Sequence, residues 1–484
     1  MTSRDYPKLG VFVAGEWLYQ TSGGTLPVTN PATEEVLGEL PLVGADELDA
    51  CLRSAADEFK AWRETPAAER AEVLQRAAAQ LRARTDEIGR WLTMEEGKPL
   101  VEAKLEVEAA AANLEWNGRR AKALESESSP EPARGFAPTI RSEPIGPVAA
   151  LTPWNFPAMV PARKIAPALA AGCSVILKPA EETPATAMGI VEALREAGAP
   201  VQMVCGDPAE VSSRLIASPV VRKISFTGSV PVGKHLARLA ADSMKPGIWE
   251  LGGHGPAIVL EDADIALAAK TLARFKSRNA GQVCTAPSRF YVHASVHDEF
   301  VDAFTDELAR LRLGNGLDPD VDVGPLANSR RVDAMERLVA DALSRGATVR
   351  HGGGRHEDKG YFFELTVLVD VPEDAAIMNE EPFGPVAPIV RFDAIGDVIG
   401  KANGLPYGLS AYVFTQSDER AATIVDALEA GLVQVNCAAP VRVDTPMGGV
   451  KESGYGYEGG DRGIEEYLLK KLVHLPYGRP EASS

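Results

Sequence analysis

Cysteine is scarce in this chain: five in 484 residues, at positions 51, 173, 205, 284 and 437. Odd in number, widely scattered and without a CxxC pair, they suggest neither a disulfide framework nor a zinc site, and they fit a reducing, cytoplasmic setting. Long apolar runs are also missing. The longest weakly polar stretch, Ile165 to Leu177, is too short to span a bilayer and contains Pro167 and Gly172. The N-terminal MTSRDYPKLG lacks the apolar core of a signal peptide, so no secretory leader is expected. Positive charge is in deficit, with 50 Lys and Arg against 68 Asp and Glu for a formal charge of −18. That balance favours solubility and argues against nucleic-acid or membrane partners. Of only seven histidines, His351 and His356 fall in the polar stretch GGGRHEDK, and no metal site is expected.

What is present is length and alternation. A chain of this size splits into two or three domains. From Ala45 to about Leu124 it is helical, rich in Ala, Leu, Glu and Arg at helical spacing. The polar ESESSPEPARGFAP then leads as a loop into an exposed ribbon, TIRSEP. Strand-like PVAALT, SVILK, VQMVC and KISFTG follow, separated by helical stretches, which predicts βαβ units and a parallel sheet. PAIVL, RFYVH, VAPIV and AYVFT continue the alternation to about Gln434. The terminal EEYLLKKLVHLPYG is too short for its own core and is expected to pair with the TIRSEP ribbon or with another subunit.

One apparent dinucleotide fingerprint, GYGYEG at 454–459, follows no strand and opens no helix of the required kind, and is set aside. KISFTGSVPVGK is a better anion site: Gly228 permits a tight turn, and a helix starting near Pro231 offers free N–H groups to phosphate. KPAEETP also ends a strand, where ligands of open α/β sheets bind. There Lys178 and Glu181 suit ribose hydroxyls, and the carboxylate would repel a 2′-phosphate, favouring NAD over NADP. Each of these has a bland alternative: an ordinary strand–helix junction, or a solvated charge pair.

Cys284, in NAGQVCTAP, taken alone is a small buried residue as readily as a nucleophile. Its company changes that reading. TPWNFP sets Asn155 just beyond one predicted strand, and WELGG sets Glu250 at the end of another, before two glycines that allow close backbone approach. A thiol, a carboxylate and an amide at such edges form a coherent chemical set.

LTPWNFP, ILKPAEETP, FTGSVPVG, ELGG, NAGQVCTAP, EEPFGP and GGVKESGYGYEGG follow the order and spacing of the aldehyde dehydrogenase superfamily, which the chain resembles over nearly its whole length. The resemblance implies an α/β fold with a Rossmann-like cofactor domain (1–125 and 146–251) and an α/β catalytic domain (252–440) carrying the nucleophile. It also implies a β-ribbon oligomerisation arm (126–145 and 465–484), a returning segment (441–464), and a homodimer or homotetramer. Cys284 would attack the aldehyde carbon to give a thiohemiacetal, with the oxyanion held by Asn155 and the Cys284 N–H. Hydride transfer to NAD, or to NADP, would leave a thioester that Glu250 hydrolyses as general base. A glutamate at this motif implies hydrolysis in place of transfer to coenzyme A. Cofactor contacts carry over to Trp154, Lys178, Glu181, Gly228, Ser229, Glu381 and Phe383.

Arg163 and Arg278 lie eight residues after Asn155 and six before Cys284. Each alone is simply read as a structural ion-pair partner. Together they match the carboxylate-gripping arginines of succinate-semialdehyde dehydrogenases, the subgroup this chain most resembles. The late loop NCAAPVRVDTP departs from that subgroup, placing Val441 and Arg442 where a serine is common, so Arg442 joins the candidate substrate residues. Thr285 and Ala286 replace a neighbouring cysteine found in some relatives, and no redox switch is expected. Succinate semialdehyde or a similar short ω-oxo carboxylate is the expected substrate. The alternatives are a neutral aliphatic or aromatic aldehyde, a thiol esterase, and a non-catalytic structural or binding protein on the same fold.

Overall fold

The computed structural model describes residues 6–121, 127–128 and 136–476. It contains two large sheets, each wrapped by helices. In the first, five parallel strands stand in the order Gly247–Glu250, Lys223–Thr227, Val148–Leu151, Val175–Lys178 and Val201–Met203. Antiparallel Gly454–Tyr455 closes one edge, and Val11–Val13 with Glu16–Leu18 closes the other. The central strands VAAL and VILK are buried throughout, as expected of a parallel sheet covered on both faces. Prolines open the helices Pro184–Glu196, Pro208–Ala217 and Val230–Ala241, where a missing N–H does no harm.

The helical segment expected from Ala45 to Leu124 is four helices, Ala45–Trp62, Ala67–Ala83, Thr85–Glu96 and Leu100–Ala121. Pro66 and Pro99 interrupt it, and Gly97 ends the third helix in the left-handed conformation (φ 103°). The apolar core of this half gathers side chains from Tyr6 to Leu251, joined by Ile464 and Tyr467 from the far end of the chain.

The second sheet has seven strands, with Gly255–Val259 and Pro287–His293 at its centre flanked by Ser410–Phe414 and Val386–Phe392. Its core runs from Ala257 to Leu428. Outside both cores, Phe136–Pro144 pairs antiparallel with Leu468–Pro476 over its whole length, bearing out the pairing read from the two segments. Residues 122–126, 129–135 and 477–484 of the expected arm and its entering loop lie outside the described residues, as do residues 1–5 of the N-terminus. Among the described residues no helix is long and apolar enough to cross a membrane, and no cluster of His, Cys, Asp and Glu is arranged to hold a metal ion.

Candidate active site

The parallel strands bring their carboxyl ends to one edge. Thr227 pairs with Glu250, Phe226 with Leu151, and Leu151 with Lys178. Strand spacing puts Glu250 and Lys178 roughly 14 Å apart along that edge, the reach of a dinucleotide. A cavity of about 650 Å³ opens there, and Cys284, Glu250 and Asn155 all line it.

Cys284 is half-buried and follows a turn with unusual backbone. Asn279, Ala280 and Gly281 are all left-handed, with φ of 48°, 51° and 74°. A Cβ on Gly281 would come within 2.2 Å of the Gly384 carbonyl oxygen, so glycine is required at this turn. Gln282 locks the turn: its N–H and its Nε2 both donate to the Asn279 carbonyl, at 3.0 and 3.2 Å. Burial pushes the Cys284 thiol up to about 12, with the negative charges of Glu381 and Glu250 adding to the shift. Arg163 and the Thr285 N–H pull the other way.

Asn155 Nδ2 donates one hydrogen to the Gln282 carbonyl at 2.9 Å, leaving its second for a ligand. Glu250 is buried, and neither carboxylate oxygen has a hydrogen-bond partner. Burial and the nearby Glu458 raise its pKa well above the carboxylate range, while Lys164 and Arg163 oppose the rise. The two glycines after it serve the expected purpose. A Cβ on Gly252 would lie 2.3 Å from Glu381 Oε2, and one on Gly253 would lie 2.9 Å from the Cys284 carbonyl oxygen.

The proposed cofactor residues divide into two groups. Trp154, Gly228, Ser229, Glu381 and Phe383 line the cavity. The Trp154 and Phe383 rings meet edge to face at 5.6 Å. Ser229 precedes the helix Val230–Ala241 without capping it through its side chain, so first-turn N–H groups remain for an anion. The Gly253 N–H donates to Glu381, whose carboxyl burial lifts to about 7. Lys178 and Glu181 stand outside the cavity wall, farther along the edge, and pair with each other at 2.5 Å. These donors, the unused helix terminus and the row of strand ends fit NAD or NADP.

The arginines also divide. Arg163 lines the cavity, donating to the Val441 carbonyl at 2.9 Å and toward Met447 Sδ at 3.5 Å, with its Nε unpartnered. Arg278 lines it too, with its guanidinium 5.1 Å from the Phe156 ring centroid and in no side-chain hydrogen bond or ion pair among the described residues, while its charge favours the ionised form of the Glu102 carboxyl. Arg442 is not brought to the cavity. It is largely exposed and forms a bidentate pair with Asp444, at 2.9 and 2.7 Å, because only its neighbours Pro440 and Val441 reach the wall.

Residues 17–473 match the model of the aldehyde dehydrogenase family. The chain belongs to this family. As an aldehyde dehydrogenase it is an NAD(P)-dependent oxidoreductase acting on an aldehyde. It is 45% identical to the 4-(hydroxymethyl)benzenesulfonate dehydrogenase TsaD1 of Comamonas testosteroni, over 96% of this chain and 97% of that one. It is 41% identical to the NADP-linked succinate-semialdehyde dehydrogenase GabD of Escherichia coli K12, over 95% and 96%. The crystal structure of an E. coli NADP-dependent enzyme superposes with a TM-score of 0.95 at 40% identity, covering 98% of this chain and 99% of that one.

Several residues that shape this aldehyde dehydrogenase site were not foreseen. Glu458, inside the discarded GYGYEG, lines the cavity and receives the Lys164 ammonium at 2.5 Å. Arg331 donates to the Pro382 and Phe383 carbonyls and holds Phe383 in its left-handed backbone (φ 45°). Lys98 donates to the Asn155 carbonyl at 2.7 Å. A buried charge needs a partner, so Lys164, at the core-facing side of a helix in RKIAPAL, carried a usable signal. Its partner, 294 residues away, did not.

Proposed function

We propose that this aldehyde dehydrogenase oxidises a short ω-oxo carboxylate, succinate semialdehyde first, with NAD preferred and water as acyl acceptor. The observation that carries the substrate reading is Arg278, a cation at the cavity wall whose guanidinium lies over the Phe156 ring and, though the Glu102 carboxyl feels its charge, makes no side-chain ion pair among the described residues. Arg163, with an unpartnered Nε, would complete a two-point grip on a carboxylate. The names of TsaD1 and GabD, a sulfonate and a semialdehyde acid, agree in placing an anion on the substrate.

Glu250, whose two oxygens are free, accepts the Cys284 proton, and the thiolate attacks the aldehyde carbon. The spare hydrogen of Asn155 Nδ2 and the Cys284 N–H stabilise the oxyanion of the thiohemiacetal. Trp154, Gly228, Ser229, Glu381 and Phe383 would hold NAD(P), which would supply the hydride acceptor. Having given that proton up to solvent, Glu250 as carboxylate deprotonates the water that releases the acid from the Cys284 thioester. The Lys178–Glu181 pair at the outer end of the edge supports NAD, since the carboxylate opposes a 2′-phosphate. The paired arm Phe136–Pro144 and Leu468–Pro476 exposes Leu469 and Leu472, in keeping with a homodimer or homotetramer joined through it.

The test is NADH formation with succinate semialdehyde against butyraldehyde at matched concentrations. A strong preference for the acid is expected. Equal or reversed preference would assign both arginines to structure and leave a neutral aldehyde as substrate.

A further inference from the structure

The break between helices Thr85–Glu96 and Leu100–Ala121 turns Lys98 into the protein, where it is 1% exposed. Its Nζ donates to Glu106 Oε2 at 2.6 Å and to the Asn155 carbonyl at 2.7 Å, and lies 4.1 Å from the Phe156 ring centroid. One helical turn on, Glu102 Oε2 accepts the Asn279 N–H at 3.1 Å. A turn further, Glu106 Oε1 accepts the Ala158 and Met159 N–H groups at 2.8 and 3.2 Å. Residues four apart share a helix face, so one side of this segment touches both the Asn155 loop and the Cys284 turn. Asn279 Nδ2 ties the two together by donating to the same Asn155 carbonyl at 3.0 Å.

That turn needs a catch. The left-handed conformation costs a non-glycine residue on the order of 1 kcal/mol or more, and Asn279 and Ala280 both adopt it in succession. Among the described residues Glu102 is the acceptor that holds the first N–H of the turn.

We propose that Lys98 and Glu102 are positioning residues for the reaction: Glu102 catches the strained turn that presents Cys284, and Lys98 fixes the Asn155 backbone so that thiol and amide face one reacting centre. This rests on the reading of Cys284 as nucleophile and Asn155 as oxyanion donor.

The experiment compares Glu102→Ala, Glu102→Gln, Lys98→Met and Lys98→Arg in the full-length protein. It measures kcat and KM at saturating NAD, NAD affinity by tryptophan fluorescence, and the iodoacetamide alkylation rate of Cys284 against a Cys284→Ala blank. Glu102→Ala and Lys98→Met should lower kcat on the order of 10- to 100-fold, with NAD affinity and the KM for butyraldehyde, which makes no use of Arg278, within about twofold. Glu102→Ala should also slow alkylation. Glu102→Gln keeps an acceptor oxygen and Lys98→Arg keeps the charge, so each should recover most of the loss. Ala280→Gly in the Glu102→Ala background should recover part, because glycine takes the left-handed backbone freely. If Glu102→Ala does not fold, this double variant and Glu102→Gln carry the comparison.

Wild-type kcat in both Glu102→Ala and Lys98→Met would overturn the proposal. So would Glu102→Gln falling as far as Glu102→Ala, or a loss confined to NAD affinity. A wild-type protein that oxidises no aldehyde would remove the functional reading instead, and the alkylation rates would then decide the positioning role alone.

Discussion

Lys164 donates to Glu458 across 2.5 Å, both side chains buried, and the two charges act on Glu250 in opposite senses. Glu458 favours the protonated form of Glu250, and Lys164 favours the carboxylate. The candidate base thus sits beside an ion pair whose two charges partly offset each other, with burial the larger cause of its raised pKa.

The pH dependence follows from that sign. The working form of Glu250 is the carboxylate, and its pKa is raised chiefly by burial, so kcat should climb with pH beyond the ordinary carboxylate range. Glu458→Gln removes a negative neighbour and should move the limb to lower pH. A kcat–pH profile of wild type and variant checks this. A limb that stays put or moves to higher pH would remove Glu458 from the control of Glu250.

Cys284→Ser and Cys284→Ala should lower aldehyde oxidation by at least about a thousandfold while NAD binding stays largely intact. Turnover assays and NAD titration read the two effects separately.

Arg278→Ala should raise KM for succinate semialdehyde roughly 10- to 100-fold, the loss of charge-assisted hydrogen bonds, and leave butyraldehyde nearly unchanged. Arg163→Ala should act in the same direction, but it also frees the Val441 carbonyl it now holds. Its effect should therefore extend modestly to neutral aldehydes. Steady-state kinetics with both substrates distinguishes the two arginines.

Glu181→Gln should raise the NADP-to-NAD ratio of kcat/KM about tenfold by removing a charge that opposes the 2′-phosphate. Parallel titrations with the two cofactors measure it. An unchanged ratio would leave Glu181 as the structural partner of Lys178.

Gly281→Ala should destabilise the protein by about 1–3 kcal/mol and abolish turnover, because the backbone there is left-handed and the Gly384 carbonyl occupies the space of a Cβ. Thermal unfolding and activity measured on the same sample test both statements.

The parallel strands, with Asn155 just beyond one strand end and Glu250 at another, were legible because each is a local pattern: an apolar run, then a turn. The pairing of TIRSEP with the terminal segment was legible for a similar reason, since two exposed ribbons need partners. Arg442 marks the limit. Val441 beside it lines the cavity, yet the Arg442 side chain pairs with Asp444 in solvent, and nothing in a linear reading distinguishes the two directions. Likewise GYGYEG, set aside as a phosphate loop, contains Glu458, whose charge acts on Glu250 across a distance its neighbours do not reveal.

The sequence by itself determined which groups can do chemistry, the glycine-bearing turns that present them, and the family to which they belong. Those depend on residue type and on chain conformation over a few positions. Only the tertiary structure decided which cations are spent within the protein and which are left facing the cavity. It also decided how far burial moves Cys284 and Glu250, and that a helix face near residue 100 steadies the Cys284 turn. Desolvation and Coulomb forces act through space between residues far apart in the chain, and their strength is set by the packing around them.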